Sequence, residues 1–172
     1  HANIFIMNDV IKNNYNNIMV LEDDFIFNKN IKSHSKNIDS FVLSKNRDKL
    51  VYFIGYIPIV VAPYNNYNYK VLFGLCTHCV IYNQNTCKDI IKKKDLHKDI
   101  DIYYLKYNCF MYYKPLCYQL FTRTENSERW IFRDFALGIY KLLQLNKVPQ
   151  PGYNIIYNTS KIFSFLLLFL LF

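Results

Sequence analysis

The chain of 172 residues is 52% hydrophobic and 20% charged, which suits one folded domain and excludes a disordered tail or a small disulfide-stapled protein. Its formal net charge of +8 comes from basic residues that are scattered along the chain rather than gathered in one segment. Because nucleic-acid-binding proteins usually concentrate their basic residues on one face, we expect no nucleic-acid partner.

Helical and strand-like patterns alternate along the first seventy residues. Apolar residues at helical spacing predict a helix within residues 1–14, and the apolar run at 18–21 is typical of a strand buried on both faces. We expect a second helix over residues 35–44 and a second strand over 49–55, ended by a glycine. Residues 56–70 contain two prolines and a tract rich in Asn and Tyr, and they predict an irregular loop over a cleft.

The alternation continues in the next part of the chain. Residues 77–82 predict a third strand, followed by a helix that is capped by Asn83 or Asn85. Residues 99–105 predict the start of a helix with acidic residues in its first turn, and residues 108–113 predict a fourth strand. Helices and strands that alternate in this way indicate an α/β fold.

The C-terminal part combines a helical pattern with an apolar end. The pattern begins at Ile131 and leads through a proline-glycine break into the uncharged residues 162–172. This run is roughly half of the ~20 residues that span a bilayer, so a truncated tail anchor, a re-entrant hairpin and a core helix are alternatives. Since such a run is an aggregation hazard when exposed, we expect membrane contact through 162–172. The predicted organisation is one α/β domain over residues 1–130 and a helical extension over 131–172.

The sequence contains five cysteines: Cys76, Cys79, Cys87, Cys109 and Cys117. Cys76, His78 and Cys79 offer three soft ligands, but no second pair of Cys or His at a suitable spacing completes a tetrahedral zinc site. We therefore expect reduced cysteines that act as small buried hydrophobic side chains.

Three consecutive acids, Glu22, Asp23 and Asp24, follow the predicted strand at 18–21. Like charges in a partly desolvated site repel one another unless a cation neutralises them, and ligands of α/β sheets bind at the carboxyl ends of the strands. Carboxylate oxygens select Mg²⁺ or Mn²⁺ over zinc, and a diphosphate can complete the coordination. The alternative is that the acids cap a helix, but the apolar residues 25–27 favour extended chain.

Four segments together resemble glycosyltransferase family 25, the group of lipooligosaccharide glycosyltransferases and collagen galactosyltransferases. The first is the acidic motif itself, preceded by a helix, and the resemblance covers residues 1–130. The matching segments are Leu21-Glu22-Asp23-Asp24-Phe25, Thr77-His78-Cys79-Val80-Ile81-Tyr82, Asp99-Ile100-Asp101, and Pro115-Leu116-Cys117-Tyr118-Gln119 with Ser127.

The resemblance implies a GT-A-like, Rossmann-type mixed sheet, a nucleotide-diphosphate sugar such as a UDP-sugar as donor, and a glycan or glycoprotein as acceptor. It also implies Mn²⁺, or Mg²⁺, as the cofactor. At the matching positions, Glu22 and Asp24 are the metal ligands and Asp23 contacts the donor ribose or sugar.

The resemblance also assigns a catalytic acid and further binding residues. Asp101, or failing it Asp99, contacts the acceptor or serves as the general base, which requires hydrogen-bond reach of the acceptor hydroxyl. His78 is a candidate for a donor or metal contact, and Gln119 and Ser127 are candidates for binding sugar or phosphate.

One departure from the family opens two alternatives. The family's first strand and nucleotide-binding loop precede its acidic motif, and only twenty-one residues precede Glu22, so we expect an N-terminally truncated domain. The chain could then be a non-catalytic remnant or scaffold. Clustered carboxylates, with Asp99 and Asp101 contributing, also suit a two-metal phosphoryl-transfer or nuclease-type enzyme, although no glycine-rich phosphate loop occurs among the 4 glycines.

Overall fold

The computed structural model describes residues 2–93, 103–120, 133–148 and 150–171. The α-helices in these ranges are α1 (Ala2–Lys12), α2 (Ile31–Ser44), α3 (Gln84–Lys92), α4 (Arg133–Leu142) and α5 (Gly152–Leu171). The strands are β1 (Asn17–Leu21), β2 (Phe25–Phe27), β3 (Leu50–Asn65), β4 (Asn68–Asn83), β5 (Asn108–Tyr112) and β6 (Cys117–Gln119). The helix predicted from Asp99 begins outside the described residues, and a short 3-10 turn, Tyr104–Lys106, follows.

Four strands form a mixed sheet in the order β1-β4-β3-β5. Strand β4 is antiparallel to both β1 and β3, and β3 is parallel to β5, so β1, β3 and β5 run in the same direction. Strands β2 and β6 form a separate antiparallel pair. The predicted α/β class with a mixed sheet is therefore confirmed.

The side chains of β3 alternate between two hydrophobic cores, because successive side chains of a strand point to opposite faces. On one face, Val51 and Phe53 pack with residues of α1, α3 and α5: Met7, Val10, Ile90, Tyr153 and Tyr157. On the other face, Tyr52 and Ile54 pack with residues of α2: Ile38, Phe41 and Val42. Helices thus cover both faces of the sheet, as expected for an α/β fold.

The first three helices confirm the predictions made from apolar spacing. Helix α2 begins at Ile31, four residues before the predicted start. Of the two predicted caps of α3, Asn83 is the one used, since its side chain accepts a hydrogen bond from the backbone N–H of Thr86 at 3.0 Å.

The segment predicted as an irregular loop, residues 56–70, is instead the distal part of a long β3–β4 hairpin. At its tip the side-chain oxygen of Asn65 accepts hydrogen bonds from the backbone N–H groups of Tyr67 at 3.0 Å and Asn68 at 2.9 Å. Pro58 and Pro63 lie beside register shifts of the ladder, where a missing N–H is tolerated. The loop prediction is wrong because these prolines mark irregularities within a strand rather than its end.

Strand β1 is exposed along one face, contrary to the expectation of burial on both. Among the described strands it pairs with β4 and lies at one edge of the sheet. Met19 is 42% and Leu21 37% exposed. A continuous apolar run therefore did not indicate a central strand here.

Helix α5, 20 residues long, contains most of the apolar C-terminal segment and packs against β3. Tyr153 and Tyr157 are fully buried at this contact. Ser164 Oγ accepts a hydrogen bond from the backbone N–H of Val61 at 2.8 Å. Among the described residues, no helix combines the length and the apolar character needed to cross a bilayer.

All five cysteines are free thiols, as expected. Four of them are buried, namely Cys79, Cys87, Cys109 and Cys117, and Cys76 is half-buried. Burial raises the pKa of Cys87 and of Cys109 to about 12, so both stay protonated at neutral pH and behave as apolar core residues.

Candidate functional site

The acidic segment joins the main sheet to the small β2–β6 sheet. After β1 ends, the backbone N–H of Glu22 donates a hydrogen bond to the carbonyl of His78 at 3.1 Å. The carbonyl of Asp24 then accepts one from the backbone N–H of Leu120 at 2.7 Å. Strand β2 follows directly at Phe25, so the alternative that the acids cap a helix is wrong.

Gln119 brings the two candidate metal ligands together from a distant part of the chain. It ends β6 and is the register partner of Phe25. Its side-chain Nε2 donates hydrogen bonds to Asp24 Oδ2 at 3.0 Å and to Glu22 Oε2 at 3.4 Å. Three of the residues assigned by the resemblance therefore form one cluster, which we call the carboxylate–amide cluster: Glu22, Asp24 and Gln119.

Two oxygen atoms of this cluster are buried without a hydrogen-bond partner in the described part of the chain, Asp24 Oδ1 and Gln119 Oε1. Buried polar atoms are normally satisfied, and each exception requires an explanation. Carboxylate and amide oxygens are also the ligand atoms that Mg²⁺, Mn²⁺ and Ca²⁺ prefer. The donor atoms of the cluster thus fit a hard divalent cation.

The number of protein ligands is small. Within the described ranges, no group of three or more His, Cys, Asp and Glu side chains could hold a metal. A cation at the carboxylate–amide cluster would therefore rest on two carboxylates and an amide oxygen. That set suits Mg²⁺ or Mn²⁺ sites in which water and substrate phosphates supply the other ligands.

Two side chains hold the backbone of Gln119 in place: Tyr153 in the first turn of α5, and Gln150, which lies just before α5. The N–H of Gln119 donates a hydrogen bond to the hydroxyl of Tyr153 at 3.1 Å, and its carbonyl accepts one from Gln150 Nε2 at 2.9 Å. Gln150 also donates to the carbonyl of Leu145. Burial raises the pKa of Tyr153 far above its usual value, so the phenol stays neutral.

Sequence reasoning missed both of these supporting residues. Tyr153 and Gln150 lie more than thirty positions after Gln119, and neither belongs to a motif. The proline-glycine break at Pro151 and Gly152 was the available signal, because Gln150 precedes it and α5 begins there.

The ring of His78 lies in the core beside Tyr153 rather than at the protein surface. It is completely buried, and its Nε2 donates a hydrogen bond to the carbonyl of Cys117 at 3.1 Å. Burial lowers the pKa of His78 to about 4, although the backbone carbonyls of Cys117 and Cys76 act in the opposite direction. The imidazole is therefore neutral at pH 7, which agrees with Nε2 as its protonated nitrogen.

An irregularity in β4 gives the His78 ring this position. Gly55 pairs with Cys79 and Ile57 with Leu75, so residues 76–78 oppose a single residue of β3. Cys76 adopts a left-handed conformation with φ of 62°. Gly55 is required beneath the ring, because a Cβ there would collide with the imidazole of His78.

The other assigned residues divide into two groups. Asp23 is exposed at the turn between Glu22 and Asp24, where its carboxylate is open to solvent. Asp99, Asp101 and Ser127 lie outside the described residues.

Comparison of the chain with protein-family models gives no match, and comparison with curated proteins gives none either.

Proposed function

We propose that this chain is a metal-dependent glycosyltransferase, or the donor-binding part of one, that transfers a hexose from a nucleotide-diphosphate sugar to a glycan or protein acceptor. The observation that carries the proposal is the carboxylate–amide cluster, in which Asp24 Oδ1 and Gln119 Oε1 are buried without a hydrogen-bond partner in the described ranges. Mn²⁺ or Mg²⁺ is the cation, and a UDP-sugar is the donor.

Glu22 and Asp24 hold the cation in this proposal. Gln119 has a second function, because an amide can present either its N–H₂ as a donor or its oxygen as a ligand. Without a cation, Nε2 donates to both carboxylates and reduces their mutual repulsion. With a cation, Oε1 can serve as a ligand. A bound metal supplies positive charge that stabilises the departing nucleoside diphosphate.

The fold supports a nucleotide-binding role, and a GT-A-like arrangement is part of the proposal. Strands β1, β3 and β5 run in one direction between two layers of helices. In such sheets, ligands bind beyond the carboxyl ends of parallel strands, and Glu22 follows the carboxyl end of β1 directly.

The remaining assigned residues contact the substrates in this proposal. Asp23, which is exposed at the turn after β1, contacts the donor ribose or sugar. Asp101, or Asp99, is the proposed general base, and Ser127 a further sugar or phosphate contact.

Cation and donor binding test the proposal directly. We expect isothermal titration to detect Mn²⁺ and Mn²⁺-dependent UDP binding, and Asp24→Asn to weaken both by more than about tenfold, the scale of a lost metal-site contact. Asp39→Asn is the matched control, because Asp39 lies near the start of β1, whereas the cluster lies beyond its end. Equal Mn²⁺ affinity of the wild type and Asp24→Asn, with circular dichroism confirming folding, would contradict the proposal.

Turnover separates the proposed enzyme from its alternatives. We expect Mn²⁺-dependent release of UDP from a UDP-sugar, which Asp24→Asn abolishes and Asp39→Asn retains. Cation and UDP binding without turnover would favour a non-catalytic remnant. Binding of two cations with cleavage of a phosphodiester would favour the two-metal phosphoryl-transfer alternative.

A further inference from the structure

The outer face of α5 is apolar and exposed over its C-terminal half. Phe165 is 68%, Phe169 75% and Leu170 80% exposed. Ile162, Phe163 and Leu166 are exposed beside them. Contiguous apolar surface of this kind marks an interaction site. We call these six residues the outer face of α5.

The opposite face of α5 is fixed to the sheet, so the outer face cannot turn inward. Tyr153, Tyr157, Ser160 and Ser164 form a buried stripe along the helix. Ser164 is tied to the backbone of β3 by its hydrogen bond with Val61. The helix therefore lies along the domain and presents only its outer side to a partner.

Tyrosines and lysines border the outer face, and α5 itself carries no acidic residue. Lys161 Nζ lies 5.1 Å from the ring centre of Tyr69 and donates a hydrogen bond to the carbonyl of Tyr113 at 2.6 Å. Lys114 Nζ lies 5.0 Å from the ring centre of Tyr113. Burial, and then the proximity of Lys114, lowers the pKa of Lys161. Both ammonium groups lie within 6.0 Å of the ring centre of Tyr113, so two cations occupy one edge of the face.

An apolar groove of about 550 Å³ continues the outer face toward the start of α5. Its walls come from the middle of β3, the residue after α4, and α5: Ile57, Pro58, Leu143, Ile155, Ile156 and Phe163. Phe163 belongs to both the groove and the outer face. The groove offers space for an apolar chain beside the exposed phenylalanines.

We propose that the outer face of α5 binds the surface of an anionic lipid bilayer. The helix lies along the membrane, with Phe165 and Phe169 among the acyl chains and Lys114 and Lys161 facing the headgroups. Apolar residues flanked by Tyr and Lys are typical of helices that lie at membrane interfaces. Anionic lipid supplies the counter-charge for this face, whereas a second copy of α5, which has no acids, does not.

Vesicle flotation with the full chain tests this proposal, and it needs no Mn²⁺, so it is independent of the glycosyltransferase proposal. We expect flotation with phosphatidylcholine–phosphatidylserine vesicles and weaker flotation with phosphatidylcholine alone, because basic residues attract anionic headgroups. The double variant Phe165→Ser/Phe169→Ser should lower the partition coefficient by at least about tenfold. Leu43→Ser is the matched control, since Leu43 is 58% exposed on α2 and should float like the wild type.

A charge variant and an assay without lipid complete the test. Lys114→Glu should weaken flotation with phosphatidylserine vesicles and leave flotation with phosphatidylcholine unchanged. Sedimentation velocity without lipid should show no wild-type dimer that is absent from the double variant. Such a dimer, equal flotation with both vesicle types, or a double variant that floats like the wild type would overturn the proposal.

Discussion

Two acid-centred clusters of this chain hold a carboxylate in opposite ways. Asp89 on α3 is satisfied by the protein itself, with Lys49 Nζ at 2.5 Å, Lys93 Nζ at 2.7 Å and the hydroxyl of Tyr107 at 3.1 Å. The hydrogen bond from Lys49 and then that from Lys93 hold the pKa of Asp89 well below its usual range. Asp24 instead accepts a hydrogen bond from the amide of Gln119, and its Oδ1 is buried without a hydrogen-bond partner among the residues that the structure describes.

The difference between these clusters separates a structural carboxylate from a candidate ligand. At Asp89 two lysines complete the charge balance within the chain. At the carboxylate–amide cluster the hydrogen bonds from Gln119 to Asp24 and Glu22 come from a neutral amide, which adds no positive charge. Carboxylates held close together in a partly desolvated site repel one another, and sites that bind ligands commonly sacrifice stability in this way.

The substitution Gln119→Glu tests the difference between the two clusters most directly, and it has the largest expected effect on stability. The variant loses the amide donor and places a third carboxylate beside Glu22 and Asp24. We expect the free energy of unfolding at neutral pH to fall by about 3 kcal/mol without metal, from the lost hydrogen bonds to charged groups and the added repulsion. Urea denaturation monitored by circular dichroism measures this loss.

Added Mn²⁺ should restore the stability of Gln119→Glu. Binding to the folded state alone stabilises it by about 2.7 kcal/mol at a hundredfold excess over Kd. Gln119→Met, which removes the amide without adding charge, is the control and should gain less from Mn²⁺. If Mn²⁺ leaves the unfolding midpoint of Gln119→Glu unchanged, the cluster is not a cation site.

The burial of His78 predicts that the stability of the protein depends on pH. The imidazole has a pKa of about 4 in the folded chain and ~6.5 when unfolded. The unfolded state therefore binds the proton first as the pH falls below about 6.5. We expect the free energy of unfolding to fall by about 2 kcal/mol between about pH 7 and about pH 5 from this residue alone, with no such effect at higher pH.

A comparison with His78→Gln isolates this contribution from other titrating groups. Glutamine keeps a donor for the carbonyl of Cys117 and does not titrate. Urea denaturation of both proteins across this pH range should show a steeper loss of stability for the wild type. Parallel pH dependences would mean that His78 is not held neutral in the core.

The sequence predicts the position of the acids and of the first three helices, but not the contact that joins Gln119 to the acids. Periodicity locates α1, α2 and α3, because each buries one face against a single neighbouring layer, and the apolar run of β5 is readable because that strand is buried on both faces. The acids follow β1 as predicted. Gln119 was expected only to bind sugar or phosphate, and its hydrogen bonds to Glu22 and Asp24 are a finding of the structure. Three consecutive acids after an apolar run are adjacent in the sequence, so their position at the end of a strand can be predicted without knowing any tertiary contact.

The errors come from features that only tertiary contacts decide. Pro58 and Pro63 favoured a loop, yet both have register partners in β4 and lie beside irregularities of the β3–β4 ladder. Met19 and Leu21 favoured a central strand, yet β1 lies at an edge. The support of Gln119 by Tyr153 and Gln150 has no sequence pattern, because it joins segments that meet only after α5 packs on the sheet.

The smallest expected effect tests the comparison of the two acids directly. Asp89→Asn removes a charge that pairs with Lys49 and Lys93, so we expect the free energy of unfolding to fall by about 1 kcal/mol. The loss should be smaller at high salt, since both lysines are half exposed.

Asp24→Asn keeps an acceptor for Gln119 and removes a negative charge beside Glu22, so we expect the free energy of unfolding to rise by about 0.5 kcal/mol without metal. Urea denaturation at low and high salt measures both. A loss at Asp24 equal to that at Asp89 would mean that the protein already neutralises Asp24, and that the two carboxylates are equivalent structural groups.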